Sequence, residues 1–186
     1  MFLTIDWRHN TFESALFVAD RYALPIATSR GDSVDFEFID HRRGTDSKYS
    51  WRPPLDWTVA YENERWWDEP RHYYVREPWF VQVLADGAEV ARIELDDPGE
   101  INPQYLEVPK LGAERLEIQF IEVAIAARGR NIGTKVVHAL ELRHPTRRLF
   151  AYSEEAHRFW ASVGWERFDH PEGERFHRPL FIQPQH

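Results

Sequence analysis

The chain contains no cysteine. A disulfide framework and a cysteine-ligated zinc are therefore both excluded. It has no apolar window approaching the roughly 20 residues that a bilayer-spanning helix needs. Its opening residues, Met1 to Ile5 followed at once by Asp6, show no basic-then-apolar leader pattern. A soluble, cytoplasmic protein without membrane contact is the expectation. Basic charge is short as well: 23 lysines and arginines stand against 31 acids, for a net charge of -8. The basic footprint of non-specific nucleic-acid binding is missing, so no nucleic-acid partner is expected. Internal repeats and low-complexity tracts are absent too.

What is present suits one domain of 186 residues, rich enough in aromatic side chains for a sizeable core. The charge is uneven. Residues 1–110 hold 21 acids and 12 bases, and residues 111–186 hold 10 and 11. The acidic part is either a solvated surface or a field that draws a cationic substrate or basic partner.

Residues 2–6 read as a short strand and residues 10–24 as a helix, with Asn10 and Glu13 in capping-box spacing. Residues 34–40 alternate apolar and acidic side chains, as a half-buried strand does. From Tyr49 to Arg76 the pattern dissolves around Pro53 and Pro54 while aromatics crowd in, with a short helix near 62–67. Two alternating runs joined through Asp86-Gly87 form a hairpin. A strand over 116–126, a helix over 133–142 ending before Pro145, a strand over 148–152 and a helix capped by Ser153 and Gly164 follow. Two short strands close the chain. The strand-helix-strand crossover from 116 to 152 implies a parallel pairing within a mixed α/β sheet.

The most informative stretch is Ala127-Arg128-Gly129-Arg130-Asn131-Ile132-Gly133-Thr134, set between strand and helix. A helix N-terminus exposes unpaired N–H groups, glycine lets a bulky anion approach, and arginine offers a planar donor fork. These residues read either as a phosphate or pyrophosphate cradle or as an ordinary strand-helix turn with exposed arginines. No Gly-Lys-Ser/Thr ending and no three-glycine dinucleotide fingerprint is present.

This stretch resembles the acyl-CoA-binding motif of the GNAT N-acetyltransferase superfamily, with Val123-Ala124-Ile125 at the strand position and Arg128 to Gly133 in the loop. A second signature follows at the expected separation, reading Ala156-His157-Arg158-Phe159-Trp160-Ala161-Ser162-Val163-Gly164-Trp165. The resemblance implies a GNAT-like α/β fold, a twisted mixed β-sheet of six to seven strands flanked by helices. It implies one domain over 1–186, with 76–186 as the acyl-CoA-binding core and 1–75 as a divergent acceptor side. It further implies transfer of an acyl group from acetyl-CoA to an amine acceptor. Backbone groups of Val123 and Ile125 would pair with the pantetheine arm, and those of Arg128, Gly129, Arg130, Asn131, Ile132, Gly133 and Thr134 would hold the pyrophosphate. The chain departs from the pattern in three places. Asn131 replaces a glycine but tolerates left-handed backbone. Ser153 replaces a pantetheine-bonding asparagine. Trp160 stands where a tyrosine would protonate the departing thiolate.

A base and an oxyanion donor are still required. Glu122, inside the apolar run Phe120 to Ile125, is the first candidate base, with a structural pairing to an arginine as the alternative, and Glu117 is the second. Counting by twos places Glu117 with Val123 and puts Glu122 on the opposite face, unless a bulge intervenes. Tyr74 and Tyr73 are alternative acids. The aromatics of 49–79 either wall an acceptor pocket or complete the core. The histidines form no clear ligand pattern, so no metal is expected. A homodimer through exposed C-terminal strands is the partner option. A non-catalytic GNAT-like acyl-CoA-binding or protein-interaction module is the alternative function, and a nucleotide-binding protein a third.

Overall fold

The computed structural model describes residues 35–47, 51–68 and 77–185. The strand and helix expected before residue 34 lie outside the described residues, as do Tyr73 and Tyr74.

Seven strands form one open mixed sheet. They are β1 (Phe36–Arg42), β2 (Trp79–Ala85), β3 (Ala88–Asp96), β4 (Arg115–Val123), β5 (Arg148–Tyr152), β6 (Glu166–Phe168) and β7 (Leu180–Ile182), in the order β1-β2-β3-β4-β5-β7-β6. Every pairing is antiparallel except β4 with β5. The helices are α1 (Glu64–Asp68), α2 (Ile132–Arg143) and α3 (His157–Val163). This is the fold class expected from the sequence. The β2–β3 hairpin turns through Asp86 and Gly87, both at positive φ (52° and 75°), as a two-residue turn of the primed kind requires.

Two register shifts decide which side chains share a face. Between β2 and β3, Val83 pairs with Ala91 and Leu84 with Glu89, which leaves Val90 as an extra residue. Between β3 and β4, Glu94 pairs with Phe120 and Leu95 with Ile118, which leaves Gln119 extra. Such bulges re-aim side chains. Glu89 and Arg92, three apart, come to one face. Glu117 and Glu122, five apart, come to the same face as each other. The bulge that the sequence left open is therefore present, and Glu122 does not lie opposite Glu117.

On one side of the sheet, Ile121 and Val123 pack with Val136, Val137 and Leu140 of α2. Gly133 fits because α2 starts close to the sheet: a Cβ there would stand 3.2 Å from Phe159 Cε2 and 3.5 Å from Val123 Cγ2. The other side is covered by residues 51–67. Trp67 is fully buried and packs against Phe80 and Phe120, at ring distances of 6.2 and 5.3 Å. Trp51 packs on Phe80, and Trp66 stacks on Phe120 at 4.4 Å. Most of these aromatics complete the core.

Two expected boundaries move. β4 ends at Val123 instead of residue 126, and Ile125–Ala127 forms a single 3-10 turn. The small side chains of Ala124, Ala126 and Ala127 favour a strand less than the branched run before them. α3 begins at His157, so Ser153 is not its cap; Ala156 holds that position. Gly164 ends α3 in left-handed conformation, φ 88°, as expected.

Candidate functional site

The parallel ladder between β4 and β5 is short. Arg115, Leu116 and Glu117 pair with Arg148, Leu149 and Phe150, and there the pairing stops. β4 runs on to Val123, while the far edge of β5 continues with β7. Residues 118–123 thus present an edge with no strand partner on the β5 side among the described residues. The two strands part like a V whose closed end lies at Glu117 and Phe150.

The loop after β4 leads into α2 at the open end of this V. Gly129 (φ 75°) and Asn131 (φ 56°, ψ 26°) both take left-handed backbone. The tolerance expected of Asn131 is thus used. The first helical bond of α2 runs from Lys135 N to Asn131 O at 3.2 Å, so the N–H groups of Ile132, Gly133 and Thr134 precede it. The Asn131 side chain does not cap them. The arginine forks are turned elsewhere. Arg128 donates to Glu62 at 2.7 Å and to Glu122 at 3.4 Å, and Arg130 donates to the Ala126 carbonyl at 2.9 Å.

The backbone between strand and loop is partly committed. Ala124 N–H donates to Val90 O at 2.9 Å and Ile125 N–H to Ala60 O at 3.0 Å. Ile125 therefore lies outside the strand and does not offer its N–H to the open edge. Because successive N–H groups of a strand point to opposite sides, Val123 N–H faces the open edge.

The two β4 carboxylates have unlike surroundings. Glu122 is 2 % exposed. Its Oε1 accepts from Glu62 N (2.7 Å), Asn63 N (3.1 Å), Asn63 Nδ2 (3.4 Å) and Arg128 Nη2 (3.4 Å). Its Oε2 accepts from Trp67 Nε1 at 2.9 Å. Glu122 therefore clamps residues 62–67 to the sheet. Glu117 is buried at the closed end of the V. Burial first, and the neighbouring Asp96 carboxylate second, push it up to about 8. Gly99 lies directly over it: a Cβ on Gly99 would fall 2.6 Å from Glu117 Cβ.

Ser153 is buried at the end of β5, its Oγ 2.8 Å from His157 Nδ1, and His157 Nε2 in turn contacts Glu174. Trp160 is buried and stacked on Trp165 at 4.7 Å. His170, Glu172 and His177 gather near the C-terminus. Their ring stack and mutual hydrogen bonds already use them, with His170 also contacting Gln104 at 3.2 Å.

The sequence reading missed Glu89 and Arg92. Glu89 accepts from Asp56 N (3.1 Å), Tyr61 Oη (2.9 Å), Gln82 Nε2 and Arg92 Nε (2.6 Å). Only the bulge at Val90 brings the pair together, and no residue type in that stretch marks it.

No protein-family profile matches the chain, and no characterised protein sequence does either. Some solved structures are similar. An acetyltransferase from Thermus thermophilus aligns at 13% identity and TM-score 0.44 over 58% of this chain and 64% of that one. The aminoglycoside acetyltransferase AAC(6')-Ib in complex with coenzyme A aligns at 16% identity and TM-score 0.42, over 58% and 66%. The AHL synthase LasI aligns at 14% identity and TM-score 0.45, over 80% and 90%. The chain thus spans less than two thirds of the length of the first two.

Proposed function

We propose that the chain is an acyl-CoA-dependent N-acyltransferase that transfers an acetyl group from acetyl-CoA to a primary amine. The observation that carries this reading is the parted β4–β5 pair, whose unpaired edge leads directly to a left-handed turn and the open N-terminus of α2. An extended pantetheine arm can add to the edge of residues 118–123 as a strand would. A pyrophosphate can settle on the N–H groups of residues 132–134, with Gly129 leaving room.

The chain's own groups then divide the work. Val123 N–H is the donor placed for the developing oxyanion, because the next two N–H groups are taken. Glu117 exchanges the proton of the attacking amine. At about 8 it lies within reach of neutral pH, where a proton acceptor works best. Glu122 holds the 62–67 segment beside the edge. Ser153, buried just after β5 and bonded to His157, stands in for the pantetheine-bonding asparagine in this proposal. Tyr74 is a further acid in this proposal. Residues 76–186 serve as the acyl-CoA core and residues 1–75 as the acceptor side. The Trp160–Trp165 stack favours a second reading, a non-catalytic acyl-CoA-binding module, because indole N–H is no usable acid.

Calorimetric titration with acetyl-CoA, CoA and ATP tests the proposal. The expected result is binding of acetyl-CoA and CoA at about micromolar Kd, worth about 8 kcal/mol, with none for ATP. Absence of binding at about millimolar acetyl-CoA overturns both readings. Binding without turnover across an amine panel selects the second.

A further inference from the structure

His170, Glu172 and His177 form the one group of metal-ligating side chains that gathers among the described residues, each with a ligand atom within 4.8 Å of those of the other two. They sit on the turn between β6 and β7. Gly173 N donates to His170 O at 2.9 Å and His177 N to Gly173 O at 3.2 Å. These two successive turns, with Gly173 at φ 80°, fold residue 177 back beside residue 170, and the two imidazoles stack at 3.5 Å.

His170 is the fixed member. It is 5 % exposed, and its ring packs edge-on against Tyr105 at 5.3 Å. Its Nδ1 accepts from Glu172 N at 3.2 Å, so the ring proton is on Nε2, which donates to Gln104 Oε1 at 3.2 Å. Metal-binding histidines are held in this way, with one nitrogen anchored on an oxygen acceptor and the lone pair of the other presented to the ion. Glu172 and His177 are the adjustable members: the first is exposed, the second half-buried, and His177 Nε2–H donates to Glu172 Oε2 at 2.9 Å. A divalent cation can take the place of that shared proton. It must also displace Glu172 N–H from His170 Nδ1, a long bond at an exposed residue that water can replace. Ligand atoms about 2.1 Å from a tetrahedral ion lie about 3.4 Å apart, so the cluster contracts by at most about 1.5 Å on binding. The two outer members can make that move. The neighbouring acids Asp169 and Glu174 are paired with Arg167 and do not compete for the ion.

We infer that this turn is a binding site for a divalent cation of the zinc class, held by His170 Nδ1, the Glu172 carboxylate and His177 Nε2, with water in the fourth position. Two imidazole nitrogens and one carboxylate suit zinc, whereas magnesium and calcium take oxygen ligands. Gln104 links the site to the 102–106 segment, which also holds the turn through Leu106 N on Asp169 O at 3.1 Å and Tyr105 Oη on Arg178 O at 2.5 Å. The ion would tighten that attachment. The site uses no residue of the acyl-transfer reading and is independent of it. It reverses the expectation of no metal drawn from the sequence, where a histidine, a glutamate two residues on and a histidine five further match no helix-borne or strand-borne ligand spacing.

The test is calorimetric titration of the full chain with zinc chloride, with magnesium chloride as control. Zinc is expected to saturate a single site with a Kd of about 10 μM or tighter, and magnesium not to bind by about 1 mM. His177→Gln and Glu172→Ala each remove a ligand at a position that is not buried, and each should weaken zinc by about tenfold or more. Gln104→Leu removes the acceptor of His170 Nε2–H and should weaken zinc about tenfold. His138→Gln, at an exposed position of α2 beside Glu141, should leave the affinity unchanged. Near-UV circular dichroism accompanies each variant, and Glu172→Ala decides if His177→Gln unfolds. Failure of zinc to saturate by about 1 mM, equal binding of magnesium, wild-type affinity in a folded His177→Gln or Glu172→Ala variant, or an equal loss in His138→Gln overturns the inference.

Discussion

Glu117 and Glu122 are the same residue type, on one strand, facing one way, and both are buried. Their neighbours make them different groups. Around Glu122, two backbone N–H groups, an amide, an indole and a guanidinium converge. Around Glu117 stand a backbone loop at Gly99, the acidic Asp96, and Arg178 as its attractive charge. Donors turn a buried carboxylate into a clamp. Where donors are fewer and a like charge is near, burial holds the proton on. Apolar surroundings in the sequence point to burial for both, and burial alone does not separate the two outcomes.

The largest effect is expected from removing the clamp. Glu122→Leu strands Glu62 N, Asn63 N and Trp67 Nε1 without their acceptor and leaves Arg128 with Glu62 and the Val123 carbonyl. Removing one partner of such a buried network costs about 3–5 kcal/mol. Urea denaturation should show that loss, and hydrogen exchange should speed first over residues 61–67. A loss below about 1 kcal/mol would mean that the donors find water and that Glu122 is no clamp.

Much of this arrangement was legible in the sequence, and the part that was not has one cause. The alternating runs, the Asp86-Gly87 hairpin, the left-handed Asn131 and the Gly164 helix end all follow from local rules. The parallel β4–β5 pairing followed from the crossover. The two bulges did not. "EIQFIEV" alternates well enough to hide the extra Gln119, and "AEVARIEL" hides Val90 in the same way. A bulge is set by what both strands must pack against, so local pattern does not locate it. Glu122 and Glu117 were named, but not their shared face, and Glu89 and Arg92 were not named. The helix start at His157 was misplaced for a similar reason: Ser153 has capping chemistry, but its hydroxyl is engaged by His157.

An intermediate effect is expected where the loop meets Glu117. Gly99 has φ +72°, and a Cβ there would stand 2.6 Å from Glu117 Cβ and 2.8 Å from Phe150 Cζ. Neither partner can retreat, since both lie in paired strands. Gly99→Ala should therefore cost about 1–3 kcal/mol, through left-handed strain and overpacking. It should also lift the loop, let water reach Glu117 and lower its pKa, which a carbonyl-labelled glutamate spectrum can follow. An unchanged pKa with full loss of stability would show that Asp96, not burial, dominates.

The smallest effect below about pH 5 is expected from Glu117→Gln, and its value lies in its pH dependence. The carboxyl binds its proton more tightly folded, at about 8, than in the unfolded chain, where 4.5 is the ordinary value. Between those two values the folded state holds more protons, so this group's contribution falls as pH rises from about 4.5 to 8 and is flat outside that window. Glutamine cannot titrate. The variant should be nearly as stable as the wild type below about pH 5, and relatively more stable toward pH 8, by an amount on the order of a few kcal/mol. Under the acyl-transfer proposal the wild-type kcat/KM rises with pH through about 8, as Glu117 loses its proton, and the glutamine variant loses that rise. Thermal melts from pH 5 to 9 read the first effect with no substrate at all. Parallel stability curves for the two proteins would mean that Glu117 is ionised when folded, and the contrast with Glu122 would be gone.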